Sequence, residues 1–151
     1  MGKIILNLCC GHDRTGTNFL DLNPKFKRVI KQDLNKNPIL PYKGKKFDEV
    51  IFSRSIEYMI SPQKILEEIY RVLKNKGILK IETFNCQSKR FFFRPLKDRY
   101  SPRGWTEKRL SMYDIHTLSN RLKIAKFKIS EVNYKQLVFP FNDFFEIVAI
   151  K

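Results

Sequence analysis

Acidic residues are scarce in this sequence: 15 Asp and Glu stand against 30 Lys and Arg, a formal net charge of +15 over 151 residues. Two readings of that shortage stay open. One is attraction to polyanions, most often nucleic acid or an anionic surface. The other is a composition bias, since Lys, Ile, Asn and Phe are all plentiful, as an AT-rich genome favours. Cysteine is also scarce. Cys9, Cys10 and Cys86 are odd in number, lack a C-x-x-C, and include an adjacent pair that cannot bridge across a sheet. This excludes a disulfide framework and leads us to expect a reduced, intracellular, cytoplasmic protein. His12 and His116 are the only histidines, so no zinc pattern appears and no metal is expected. No apolar stretch approaches the ~20 residues of a membrane span, and no membrane partner is expected. The N-terminus runs straight into a strand, so no signal peptide is expected. The length favours one domain over residues 1–151 with a real core.

The periodicities predict an α/β chain. Strands are expected at Lys3–Leu8, Asn18–Leu22, around Arg28–Asp33, at Phe47–Ser55 and at Gly77–Asn85. Two more are expected at Phe127–Tyr134 and Phe144–Lys151, close enough to pair antiparallel. Asn35–Lys46 holds two prolines and a glycine and reads as a loop. The clearest helix is Pro62–Asn75, with Ser61 as N-cap, Pro62 at the first position and Gly77 as the left-handed stop. A second helix is expected over Met112–Ile124, capped by Ser111 with Asp114 three residues on. The central strand–helix–strand unit predicts a parallel sheet with a right-handed crossover.

The opening stretch IILNLCCGHDRTGTNFLDLN carries the chemistry. Gly11 lets backbone approach a ligand. Asp21, at the end of the next strand, is placed to accept both hydroxyls of a ribose. The tripeptide DLN recurs at Asp33–Asn35, which places Asp33 and Leu34 at an adenine edge one strand further out. The alternative is that both Asp residues merely shape turns. Glu57 reads either as a base or as a carboxylate at a helix start.

In order along the chain, LNLCCG, NFLDLNP, QDLN, FDEVIFSRSIEYM, ILEEIYRVLKNKGILKIETFN and YDIHTLSNRLKIAKFKI resemble the segments of a class I S-adenosylmethionine-dependent methyltransferase of the short variety. The resemblance implies a Rossmann-like, seven-stranded sheet of order 3-2-1-4-5-7-6 with the last strand antiparallel. It implies S-adenosylmethionine as cofactor. Cys9 and Gly11 would line its methionine moiety, Asp21 would hold its ribose, Asp33 and Leu34 its adenine, and Leu22 would also line the cofactor. Ser53 or Arg54 would close the site, with Arg54 also a substrate candidate. Cys9 replaces a glycine of the family pattern, and Asn7 stands where many members have an acid. The methyl acceptor is not indicated, and no catalytic residue is assigned. A rival reading is a non-catalytic nucleic-acid-binding protein on the same fold.

Residues 86–110 form a basic, aromatic insertion with Lys89, Arg90, Arg94, Lys97, Arg99, Arg103 and Trp105. Cations track phosphates and aromatics stack bases; a surface loop anchored by its phenylalanines is the alternative. The segments before strands one to four are too short or too proline-broken for the family's usual helices. One sheet face is therefore expected to lack its cover, which points to a homodimer or to the insertion folded across that face.

Overall fold

Seven strands lie in one sheet, in the order β3-β2-β1-β4-β5-β7-β6. They are β1 (Ile5–Leu8), β2 (Asn18–Asp21), β3 (Val29–Lys31), β4 (Phe47–Ser53), β5 (Leu73–Phe84), β6 (Lys128–Lys135) and β7 (Phe144–Ile150). The first five run parallel, and β7 pairs antiparallel with both β5 and β6. This is the expected class and order. The structure is a computed structural model that describes residues 2–88, 109–135 and 143–151. Two α-helices occur among the described residues, α1 (Pro62–Val72) and α2 (Ile115–Ile124).

Strand alternation decides what each face does. Leu6, Leu8, Leu20, Val50, Phe52, Leu79, Ile81, Phe145, Ile147 and Ala149 share one face through their registers and are all fully buried. Ile65, Leu66 and Ile69 of α1 and Leu118 and Leu122 of α2 complete that core. Each of these side chains except Ala149 contributes about 1.5–3 kcal/mol by leaving water. Lys151 closes the base of α1, its Nζ donating to the carbonyls of Tyr70 and Leu73 at 2.6 and 2.8 Å.

No described helix covers the other face. The loop Cys10–Thr17 lies over β1, where a Cβ on Gly16 would come within 3.4 Å of Ile5. Phe26 packs edge-on against Phe19 at 5.0 Å over β2. Further along, Ile51, Ile78 and Val148 are half-buried, and charged side chains alternate with them. Lys80 pairs with Glu49 at 2.8 Å, and Lys135 with Glu82 and Glu146 at 2.7 and 3.0 Å. The face is thus a ladder of ion pairs rather than the apolar plane expected.

Three local expectations need correction. Helix α1 stops at Val72, and Lys76, not Gly77, takes the left-handed conformation, at φ 63°. Gly77 is required for space: a Cβ there would lie 2.8 Å from the Lys74 carbonyl oxygen. Ser61 makes no side-chain cap bond. The N-cap of α2 is Asp114, not Ser111. Its carboxylate accepts from Thr117 N at 2.7 Å, and Thr117 Oγ1 accepts from Asp114 N at 3.1 Å.

Candidate functional site

The carboxyl ends of β1, β2, β3 and β4 meet at one edge of the sheet. At the end of β1, Cys9 N donates to Leu20 O at 2.7 Å, so the loop leaves its strand hydrogen-bonded to β2. Gly11 N then donates to Asp21 Oδ2 at 2.8 Å. The rest of the loop is self-supporting: buried Asn7 donates from Nδ2 to Asp13 Oδ2 at 2.9 Å and to Thr15 O at 3.1 Å. An acid at position 7 could not donate to Asp13, so Asn7 and Asp13 are a matched pair. Burial raises the Asp13 pKa, but hydrogen bonds from Thr15 and Asn7 outweigh it and hold the carboxyl below its ordinary value.

Both DLN copies make the same turn. Asn23 N donates to Asp21 Oδ1 at 2.8 Å, and Asn35 N donates to Asp33 Oδ1 at 3.0 Å. The turn role is therefore real, but it does not exhaust the carboxylate. Each Asp21 oxygen takes one backbone N–H and keeps a second acceptor direction, as ribose hydroxyls require. Leu34 is buried at 4 % exposure, whereas Leu22 presents 49 % of its surface at this edge.

Cys9 and Arg54, each directly following a strand, have φ of 54° and 48°. A left-handed residue with a Cβ costs roughly 1–2 kcal/mol, so both strand ends are strained where a ligand would sit. Burial, with the Asp21 charge adding to it, pushes the Cys9 thiol up to about 12. The sulfur is therefore a neutral wall of the loop, with Ser55 beside it lowering the pKa in part. Ser53 and Arg54 turn elsewhere. Ser53 Oγ donates to Glu82 Oε1 at 3.1 Å, and Arg54 Nε pairs with the same oxygen at 3.0 Å. The structure thus brings Cys9, Gly11, Asp21 and the second DLN to one edge, and places Ser53 and Arg54 with Glu82 on the helix-free face. Lys89, Arg90, Arg94, Arg99, Arg103 and Trp105 lie outside the described residues.

Two further residues take site roles: Asn35, which sequence reading missed, and Glu57, which it left open between a base and a helix-start carboxylate. Asn35 ties the end of β3 to the segment after β4: its Nδ2 donates to Tyr58 O at 3.0 Å, and its Oδ1 accepts from Ile60 N at 2.8 Å. The repeated tripeptide was its only signal. Glu57 sits in a 3₁₀ turn (Ile56–Tyr58) two residues beyond Ser55, and it is only 2 % exposed. Its Oε2 accepts from Thr83 Oγ1 at 2.9 Å. Burial raises its pKa, against the lowering by its own amide, Thr83, Arg109 and Arg54. It lines a cavity of about 10 Å³ with Thr83, Arg109 and Tyr113, room for about one water. The Tyr113 hydroxyl is buried without a partner in hydrogen-bonding geometry. Burial raises its pKa, and Ser111 stands close enough to lower it in part. Glu57 thus stands in the first turn of a short helix, as the helix-start reading expects, but it faces protein rather than water.

Similarity to known proteins agrees with this geometry. A family model described as a methyltransferase domain matches residues 14–81, from inside the first loop to the middle of β5. A possible histamine N-methyltransferase of Thermotoga maritima, S-adenosylmethionine-dependent, superposes over 100 % of this chain and 83 % of its own, with a TM-score of 0.77 at 17 % identity. This is the class I methyltransferase fold. A second methyltransferase with this fold, from Methanosarcina mazei, covers 99 % of this chain and 92 % of its own, with a TM-score of 0.76 at 17 % identity. The 1,6-didemethyltoxoflavin-N1-methyltransferase of Burkholderia thailandensis, solved with its substrate and S-adenosylhomocysteine, covers 99 % and 71 %, with a TM-score of 0.74 at 12 % identity. No curated protein matches in sequence. The methyltransferase domain match begins beyond Cys9 and Gly11, so the glycine-poor loop rests on the structure alone. The cofactor that this domain implies is S-adenosylmethionine, and the edge formed by Gly11, Asp21 and Leu34 fits its adenosine half.

Proposed function

We propose that this chain transfers a methyl group from S-adenosylmethionine to an acceptor of the nucleic-acid class. One observation carries the cofactor half: the Asp21 carboxylate, oriented by Gly11 N and Asn23 N, stands at the end of β2 beside a loop that closes without a helix. When bound, the cofactor supplies an electrophilic methyl group on a sulfonium. The chain's own residues orient and shield. Asp21 holds the ribose hydroxyls, Asp33 and Leu34 flank the adenine, and the loop backbone runs along the methionine moiety. Asn35 keeps the adenine side and the post-β4 side together. Positioning an acceptor against a reactive carbon supplies much of such a rate by itself. Glu57 is the buried group able to take a proton.

The acceptor class is supported by the +15 charge and by the basic, aromatic insertion. The ends of that insertion are anchored beside the site: Cys86 N donates to Tyr113 O at 3.0 Å, and Leu110 N donates to Glu57 O at 2.7 Å. The rival, a nucleic-acid-binding protein that has lost its cofactor, is favoured by the strained Cys9. Calorimetry with S-adenosylmethionine and S-adenosylhomocysteine separates the two. Binding by the parent protein is expected, with a loss of roughly 1.5–3 kcal/mol in Asp21→Ala. No binding by the parent at millimolar cofactor would leave the rival standing. Neutralising Lys89, Arg90, Arg94, Lys97, Arg99 and Arg103 together is expected to weaken nucleic-acid binding and flatten its salt dependence. Unchanged binding would remove the insertion from the acceptor site.

A further inference from the structure

No acid occurs between Asp21 and Asp33, a stretch that holds Lys25, Lys27, Arg28 and Lys31. All four side chains are exposed. They lie on the crossover from β2 to β3 and on β3 itself, which ends the sheet. Lys31 is the register partner of Asp21, so the row of cations runs up to the cofactor edge. Arg14 joins it from the first loop. Its guanidinium is held 5.4 Å above the ring of Phe26, which is itself fixed edge-on against Phe19. None of the five cations forms an ion pair with a described residue.

Lysine on an edge strand blocks strand addition, and Lys31 serves that purpose. Lys25, Lys27 and Arg28 lie outside the strand and do nothing for its edge. Five neighbouring, uncompensated cations repel one another, and a bound polyanion removes that repulsion. The exposed Ile30 alternates with Lys31 and faces the opposite side of the sheet. The strip therefore lacks the apolar layer that a membrane-surface contact needs.

We infer that the Arg14, Lys25, Lys27, Arg28 and Lys31 strip binds the phosphate backbone of nucleic acid and leads it to the methyl-transfer edge. The inference rests on the nucleic-acid reading above for the class of partner, but on residues separate from the 86–110 insertion.

Fluorescence anisotropy with a labelled oligouridylate, over a salt series, tests it on the full chain. In Lys25→Gln/Lys27→Gln/Arg28→Gln/Lys31→Gln, affinity at low salt is expected to fall more than about tenfold, and the log–log salt slope to become shallower by up to roughly 3. A charge-matched control, Lys64→Gln/Lys76→Gln/Lys123→Gln/Lys128→Gln, is expected to stay within about twofold of the parent. Equal losses in both variants would mean net charge alone and would overturn the strip. An unchanged slope in the first variant would do the same, as would tighter binding to phosphatidylserine vesicles than to the oligonucleotide. Calorimetry with S-adenosylhomocysteine on the same samples keeps a failed cofactor reading distinct from a failed strip.

Discussion

Glu57 couples the site to pH. Its folded pKa is raised, so the native state holds the proton more tightly than the unfolded chain does. The stability this contributes is complete below the unfolded value near 4.5. It is lost as pH rises through the folded value. Glu57→Gln is neutral throughout and is expected to lose less stability than the parent across that window. Urea unfolding at a series of pH values measures the difference, and parallel curves would refute the burial argument. Cys9 teaches a different lesson at the same scale. Its thiol, held at about 12 against an ordinary 9.0 by burial, stays protonated near neutral pH. It replaces a glycine without bringing reactive chemistry into the loop.

The elements stand or fall on their ends. Helix α2 starts at a reciprocal cap between Asp114 and Thr117, so Asp114→Ala is expected to cost about 1 kcal/mol. In a chain of this length that lowers the melting temperature by about 2–4 °C. Ser111→Ala makes no such loss and should stay within about 0.5 kcal/mol of the parent. Melting both variants in parallel decides the cap, and equal shifts would refute it. The Asp114 pKa is lowered, first by the Thr117 amide. That contribution is present above the ordinary value of 3.8 and is lost as pH falls through the folded value. Helix α1 is held from the side. Arg71 reaches the carbonyls of Tyr42 and Leu40 at 2.9 and 3.2 Å, while Glu68 accepts from Leu40 N at 2.9 Å. The proline-broken segment before β4 is thus fastened to α1 by side-chain hydrogen bonds to its backbone.

At the scale of the whole molecule, the sheet keeps its described helices on one face and ion pairs on the other. Parallel sheets normally bury both faces. We propose that a second copy of the chain covers the charged ladder. Because strongly associating interfaces are more apolar than this face, light scattering is expected to show a monomer–dimer equilibrium that shifts with concentration. A monomer throughout the accessible range would refute the dimer. No described helix is long and apolar enough to cross a membrane.

Alternation and helical spacing along the chain marked the strands, both helices and the glycine–Asp21 edge, because these signals are local; the strand order came from the resemblance of the ordered segments to the methyltransferase pattern. Helix ends were less legible. Ser111 and Asp114 both suit a cap, and the structure places the cap at Asp114, after an isolated strand bridge between Tyr113 and Asn85. The partners of Ser53 and Arg54 were hidden because Glu82 lies on a neighbouring strand and reaches them only through sheet register. Tertiary structure alone decided the state of Glu57. The same side chain at an exposed helix start would be an ordinary carboxylate, and its burial against Thr83 comes from strands joined across the fold.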